Sequence, residues 1–75
     1  MKGNQILYNN IPTLRQERNI TQELLAKKVG TSRQTINSIE KGRYCPSLPL
    51  ALKISNVFNL KVEDIFKFSK EEKNE

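Results

Sequence analysis

The chain has 75 residues and a net charge of +5, with one cysteine, Cys45, and no histidine. That length holds one domain with a small core, and a single thiol excludes an internal disulfide and any cysteine-cluster metal site. No apolar run is long enough to span a bilayer and no basic start leads into an apolar leader, so the expected setting is a reducing cytoplasm with no membrane partner. Lys27, Lys28, Arg33, Lys41 and Arg43 fall between residues 27 and 43 against Glu40 alone, whereas Glu71, Glu72 and Glu75 sit near the end. A basic body suits a polyanionic partner, although charge by itself fits a solvated basic surface equally well.

In chain order, Gln5-Ile6-Leu7-Tyr8 is too short and too apolar for a helix and predicts a strand. Pro12 suits the first turn of a helix, which runs to about Arg18 with Ile11 and Leu14 inward, Arg15 at the edge of that face and Asn19 closing it. Thr21 is a good N-cap for a second helix, with Glu23 near its positive end. Leu25, Ala26 and Val29 share one face, and Gly30 supplies the left-handed residue that ends it. Ser32 caps a third helix that stops at Gly42. Ser47 caps a fourth, with Pro49 in its first turn and Leu50, Ile54, Val57 and Phe58 on its inner side. Val62, Ile65 and Phe66 make a short fifth helix, and Phe66-Lys67-Phe68 can leave it as a strand. The polar stretch 70–75 is a tail to a domain spanning 1–69.

The informative unit is 22–41. A small residue (Ala26), a glycine turn (Gly30) and a branched apolar residue (Ile36) are spaced as two closely packed, angled helices require, which is the packing signature of a helix-turn-helix. At about 100° per residue, Arg33, Gln34, Asn37, Ser38 and Lys41 share one arc of roughly 140°, opposite Ile36 and Ile39. Arginine can donate two bonds to guanine, and glutamine or asparagine can pair bidentately with adenine. Serine reaches either kind of edge. Arg33, Gln34, Asn37 and Ser38 are therefore the candidate base-reading residues. Lys41, Arg43 and backbone amides at helix starts can hold phosphates; the same polar arc also fits an ordinary solvated surface.

The stretch LRQERNITQELLAKKVGTSRQTINSIEKGRYCPSLPLALKISNVFNLKVEDIF, Leu14 to Phe66, resembles the Cro/C1-type (XRE-type) helix-turn-helix domains of phage repressors and bacterial regulators. The resemblance rests on "TQ" opening the second helix, "SRQTI" and "IEKG" bounding the third, and "PSL" with "LALKI" opening the fourth. Short length and strand-like ends look most like small stand-alone repressors of Gram-positive bacteria, the cytolysin repressor among them. It implies a mainly α, five-helix lambda repressor-like fold, to which the chain ends can add a short antiparallel two-stranded sheet. It implies that Gln22 contacts a phosphate from the start of the second helix and that Lys41, Arg43 and Tyr44 lie near the DNA backbone. Ser32 and Thr35, at the start of the third helix, join them as phosphate candidates. An ion pair between Arg15 and Glu40 is implied too; read alone, the two are separable surface charges. Leu24 and Pro49 depart from the family pattern, which usually has a polar residue and an acid at those places.

The expected function is that of a sequence-specific transcriptional regulator, a repressor that binds a palindromic operator in double-stranded DNA as a homodimer. No cofactor, metal or catalytic residue is expected, since histidine, a Gly-rich phosphate loop and a facing carboxylate pair are all missing; Glu63 and Asp64 are adjacent and do not face each other on a helix. Leu7, Tyr8, Phe66 and Phe68 are the candidate dimer residues, with core cover as their simpler role. Two recognition helices about 34 Å apart would match half-sites one DNA turn apart. Without a ligand-binding domain, control falls to concentration, modification or an unidentified regulatory protein. An antitoxin or other protein-interaction module is the alternative use of the scaffold, and RNA binding would want exposed aromatic platforms. Cys45 reads as a loop thiol.

Overall fold

Each main helix begins and ends where local chemistry satisfies its orphan backbone groups. In the computed structural model, which describes residues 7–68, the order is β1 (Leu7–Asn9), α1 (Ile11–Glu17), α2 (Gln22–Val29), α3 (Arg33–Glu40), α4 (Leu48–Phe58), α5 (Val62–Ile65) and β2 (Phe66–Phe68). Thr21, Ser32 and Ser47 each accept a hydrogen bond from the main-chain N–H three residues on, at 3.0, 3.0 and 3.3 Å. A cap of this kind contributes about 1 kcal/mol. The ends share one geometry as well. Asn19, Gly30, Gly42 and Asn59 all have positive φ, 55°, 78°, 76° and 58°. Beyond each, the next N–H closes back on the helix: Ile20 to Arg15, Thr31 to Ala26, Arg43 to Ser38 and Leu60 to Ser55, at 2.9 to 3.0 Å. This Schellman closure turns the chain sharply and lets short helices pack without long loops.

The core is one cluster, built from Ile11 and Leu14 of α1, Leu25, Ala26 and Val29 of α2, Ile36 and Ile39 of α3, Ala51, Ile54 and Phe58 of α4, with Ile65 and Phe66. Helix α2 packs on both α3 and α4, and Ala26 is small enough to allow it. On α4 the inner side is shifted from the expected one. Ala51 and Ser55 are buried with Ile54 and Phe58, whereas Leu50 and Val57 are only half-buried. Ser55 lies inside without penalty because its hydroxyl donates to Leu52 O at 2.8 Å. Arg18 caps the other side of Phe58, its guanidinium 5.3 Å from the ring centroid.

The ends pair as an antiparallel ribbon with Leu7 opposite Phe68, Tyr8 opposite Lys67 and Asn9 opposite Phe66. The strand expected at Gln5–Tyr8 thus extends to Asn9; Gln5 and Ile6 lie outside the described residues, as does the tail 70–75. The expected strand Phe66-Lys67-Phe68 is β2. Phe66, expected both in the fifth helix and in the strand leaving it, belongs to the strand alone, since α5 ends at Ile65, and at 8% exposure it is part of the core. Directly opposed residues share a face and neighbours alternate; Leu7 and Phe66 pack on the core, whereas Tyr8, Lys67 and Phe68 are exposed. Tyr8 and Phe68 line one pocket together with Asn10, Ile65 and Lys67.

At Gly30 a Cβ would meet nothing within 4 Å, although φ is +78°. Gly30→Ala should consequently cost only the left-handed backbone penalty, about 1–2 kcal/mol. Urea denaturation checks this: the midpoint should fall with the m-value unchanged.

Candidate nucleic-acid interface

Helix α3 buries Ile36 and Ile39 and turns its polar arc outward. Arg33 and Gln34 are exposed in its first turn, Asn37 and Ser38 are half-exposed one turn on, and Lys41 is exposed just beyond its end. The structure thus brings the expected base-reading residues together on one side of one short helix. At its start the Ser32 and Thr35 hydroxyls lie 3.0 Å apart and hydrogen-bond each other, at the end where the helix dipole is positive. At its other end Gly42 turns the chain so that Arg43 and Tyr44 follow in an exposed loop. Leu24 is an exposed apolar residue on α2.

Beneath the arc lies a polar cluster that ties three helices together. Arg15 Nε donates to Glu40 Oε2 at 2.6 Å and Nη2 donates to Oε1 at 3.1 Å. The side chains are 17% and 6% exposed, so this is a bidentate pair largely out of water, the strong form of such a contact. Arg15 Nη1 also donates to Ile20 O at 3.1 Å, which anchors the turn into α2. Gln22 joins from the first turn of α2, its Nε2 donating to Glu40 Oε1 at 3.0 Å and to Asn37 Oδ1 at 3.2 Å. Among the described residues, no buried side-chain nitrogen or oxygen is left without a partner.

This geometry changes the part expected of Gln22. Both hydrogens of its amide nitrogen are engaged inside the protein, and its oxygen is an acceptor, which a phosphate also is. What Gln22 can offer a phosphate is its main-chain N–H, which has no intrahelical partner at the first position of a helix.

One residue of the site escaped sequence reasoning. Asn9 Nδ2 donates to Ile39 O at 3.0 Å and Glu40 O at 3.4 Å, while its Oδ1 accepts from Ile11 N at 3.0 Å. It therefore starts α1 and holds two of the last carbonyls of α3 with one side chain. The local signal was the asparagine pair Asn9-Asn10 ahead of a helix with proline in its first turn, but nothing local points to α3.

The helix-turn-helix family profile matches residues 13–65 of the chain. An uncharacterized HTH-type transcriptional regulator of Archaeoglobus fulgidus is 58% identical over 62 residues, covering 83% of this chain and 87% of that protein. One from Methanocaldococcus jannaschii is 55% identical over 64 residues, 85% of this chain and 97% of that one. One from Bacillus subtilis is 50% identical over 58 residues, 77% and 88%. Among solved structures, a putative DNA-binding protein from Bacteroides fragilis superposes with a TM-score of 0.73 at 24% identity, over 83% of this chain and all of that one, and so shows the shared fold. The restriction-modification controller protein C.AhdI from Aeromonas hydrophila gives 0.66 at 26% identity, over 71% of this chain and 80% of its own.

Removing one member of the Arg15–Glu40 pair strands the other as a largely buried charge. Arg15→Ala and Glu40→Ala should each destabilise the fold by about 3 kcal/mol, and the double variant should lose less than the sum. A double-mutant cycle by chemical denaturation measures the coupling; strict additivity would mean that the pair does not act as one.

Proposed function

The chain belongs to the helix-turn-helix family, and on that premise we propose that it is a sequence-specific DNA-binding transcriptional repressor that acts as a homodimer on a two-fold operator. The observation that carries this reading is the outward arc of α3, where Arg33 and Gln34 stand exposed in the first turn with Ser38 beside them. A helix of this size fits the major groove of B-form DNA, and its first turn is the part that meets base edges. Arg33 donates two bonds to a guanine. Gln34 pairs bidentately with an adenine. Ser38 supplies one bond to either edge. The main-chain N–H groups at the starts of α2 and α3, near Gln22, Ser32 and Thr35, together with Lys41, Arg43 and Tyr44, hold the flanking phosphates and set the register. The curated relatives are described as HTH-type transcriptional regulators, which favours control of transcription as the outcome of binding.

One such helix reads only a few base pairs, too few to select a site in a genome. A second copy doubles the reading. Its seat is the apolar cleft lined by Leu7, Pro46, Leu48, Ala51, Val62 and Phe66. Leu48 in that lining is 68% exposed, and Phe68, at the end of β2, is 60% exposed. Exposed side chains of that size are what a second copy would cover. Phe66, 8% exposed, serves as the floor of that cleft rather than as a projecting contact, and Tyr8 and Phe68 line a second pocket together. A dimer on the operator excludes other proteins from the same stretch of DNA, which is repression by occupancy.

Selection of bound fragments from random DNA by the full chain should return a two-fold consensus. Arg33→Ala and Gln34→Ala should each weaken binding to it by about 1–3 kcal/mol and relax one position per half-site. Lys41→Ala and Arg43→Ala should weaken binding to every sequence and lower the slope of log affinity against log salt by about 1. Absence of any consensus would refute the reading. Phe68→Asp should give a folded monomer with weak operator binding; sedimentation that finds the unmodified chain monomeric at micromolar concentration would refute the dimer.

A further inference from the structure

Tyr8 stands between two clefts. On one side, the space between β1 and the end of α3 is lined by Leu7, Tyr8, Asn9, Glu40, Lys41 and Gly42 and holds about 390 Å³, enough for a phosphate group to enter. On the other, Tyr8 shares a pocket with Lys67, its direct partner across the ribbon. Adjacent strands lie about 5 Å apart, so these two side chains leave the ribbon next to each other. Lys41, Tyr8 and Lys67 are all exposed. The seam between ribbon and helix is fixed, because Asn9 Nδ2 donates to Ile39 O and Glu40 O and ties β1 to the last turn of α3. Charge along this strip has one sign. Glu40 lines the first cleft, but its side chain is 6% exposed and is held by Arg15 and Gln22. The second cleft has no acid in its lining.

We propose that the terminal ribbon is a further contact with the DNA backbone, continuing the phosphate track past Lys41. The Tyr8 hydroxyl donates to one phosphate oxygen and the Lys67 ammonium pairs with another. The chemistry is matched, since a phosphate oxygen only accepts, an ammonium only donates and a phenol can donate. Contacts of this kind fix register and add affinity but carry no sequence information. The ribbon therefore supplies binding that is blind to the bases, beside a helix that reads them. A lysine on a short ribbon otherwise serves to discourage pairing at its edges, a role that DNA affinity would not register.

This proposal rests on the reading of α3 as the DNA-facing helix, and the test separates the two. Affinities of the full chain and its variants are measured from about 50 to about 200 mM salt. Two duplexes are used, one obtained by selection from random DNA and one of unrelated sequence. Lys67→Gln should lower the slope of log affinity against log salt by about 1 per bound protomer on both duplexes. Tyr8→Phe, which loses only the hydroxyl, should bind both about three- to tenfold more weakly at every salt concentration. Lys53→Gln removes an exposed lysine of α4 that lines neither cleft, and it should leave the slope unchanged. Sedimentation should find each variant in the same assembly state as the unmodified chain. An unchanged slope in Lys67→Gln, or an equal loss in Lys53→Gln, would overturn the proposal. So would Tyr8→Phe binding as the unmodified chain does. Dissociation of Tyr8→Phe or Lys67→Gln into monomers would overturn it as well, by assigning the strip to contact between copies. In each of these cases a slope lowered by Lys41→Ala would leave the DNA-facing assignment of α3 standing. No salt-dependent binding of either duplex by the unmodified chain would overturn both.

Discussion

The bidentate contact between Arg15 and Glu40 is the constraint on which the rest of the site depends. Glu40 is the last residue of α3 and Arg15 lies in α1, so the pair sets how the outward helix leaves the body of the domain. A buried ion pair of this kind is poor evidence for stability in itself, because desolvation offsets much of the attraction. Its value is directional. An aliphatic pair of the same volume would fill the space, but it would not dictate which way the Gln22 amide turns or hold the Ile20 carbonyl at the entry to α2. Asn9 completes the arrangement from the opposite side by holding the last carbonyls of α3.

A domain this small has little apolar area to spend on defining one structure. The chain relies on local devices instead. Three hydroxyl caps fix where α2, α3 and α4 begin, and four left-handed residues fix where α1 to α4 end. With the helix ends fixed, a modest core suffices to set their angles, and Ala26 with Ile36 brings α2 and α3 close. Such economy leaves apolar side chains outside, Leu48 and Phe68 foremost.

How much of this was legible in the sequence divides along a physical line. Thr21, Ser32, Ser47, Gly30 and Gly42 could be placed because capping and left-handed turns are decided within four residues. The polar arc of α3 was legible because helical periodicity alone separates it from Ile36 and Ile39. Asn59 was missed as a helix end, since asparagine signals a left-handed residue less strongly than glycine does. Asn9 was missed because its partner carbonyls lie 30 residues away. The register of the terminal ribbon was not legible for a related reason, since it is set by pairing across the whole domain. The inward commitment of Gln22 was illegible too, because the direction of an amide is a property of its neighbours in space and not of its place in the chain.

The central claim is that α3 is the surface that meets DNA and that the cluster beneath it holds it in one pose. Chemical-shift mapping of the isotopically labelled chain, titrated with a duplex from random-sequence selection, tests that claim most directly. The account predicts that the largest perturbations fall on Arg33, Gln34, Asn37 and Ser38 and on the main-chain amides that start α2 and α3, while Arg15 and Glu40 keep their environment. Perturbations confined to the terminal ribbon and α4, with α3 unmoved, would contradict it.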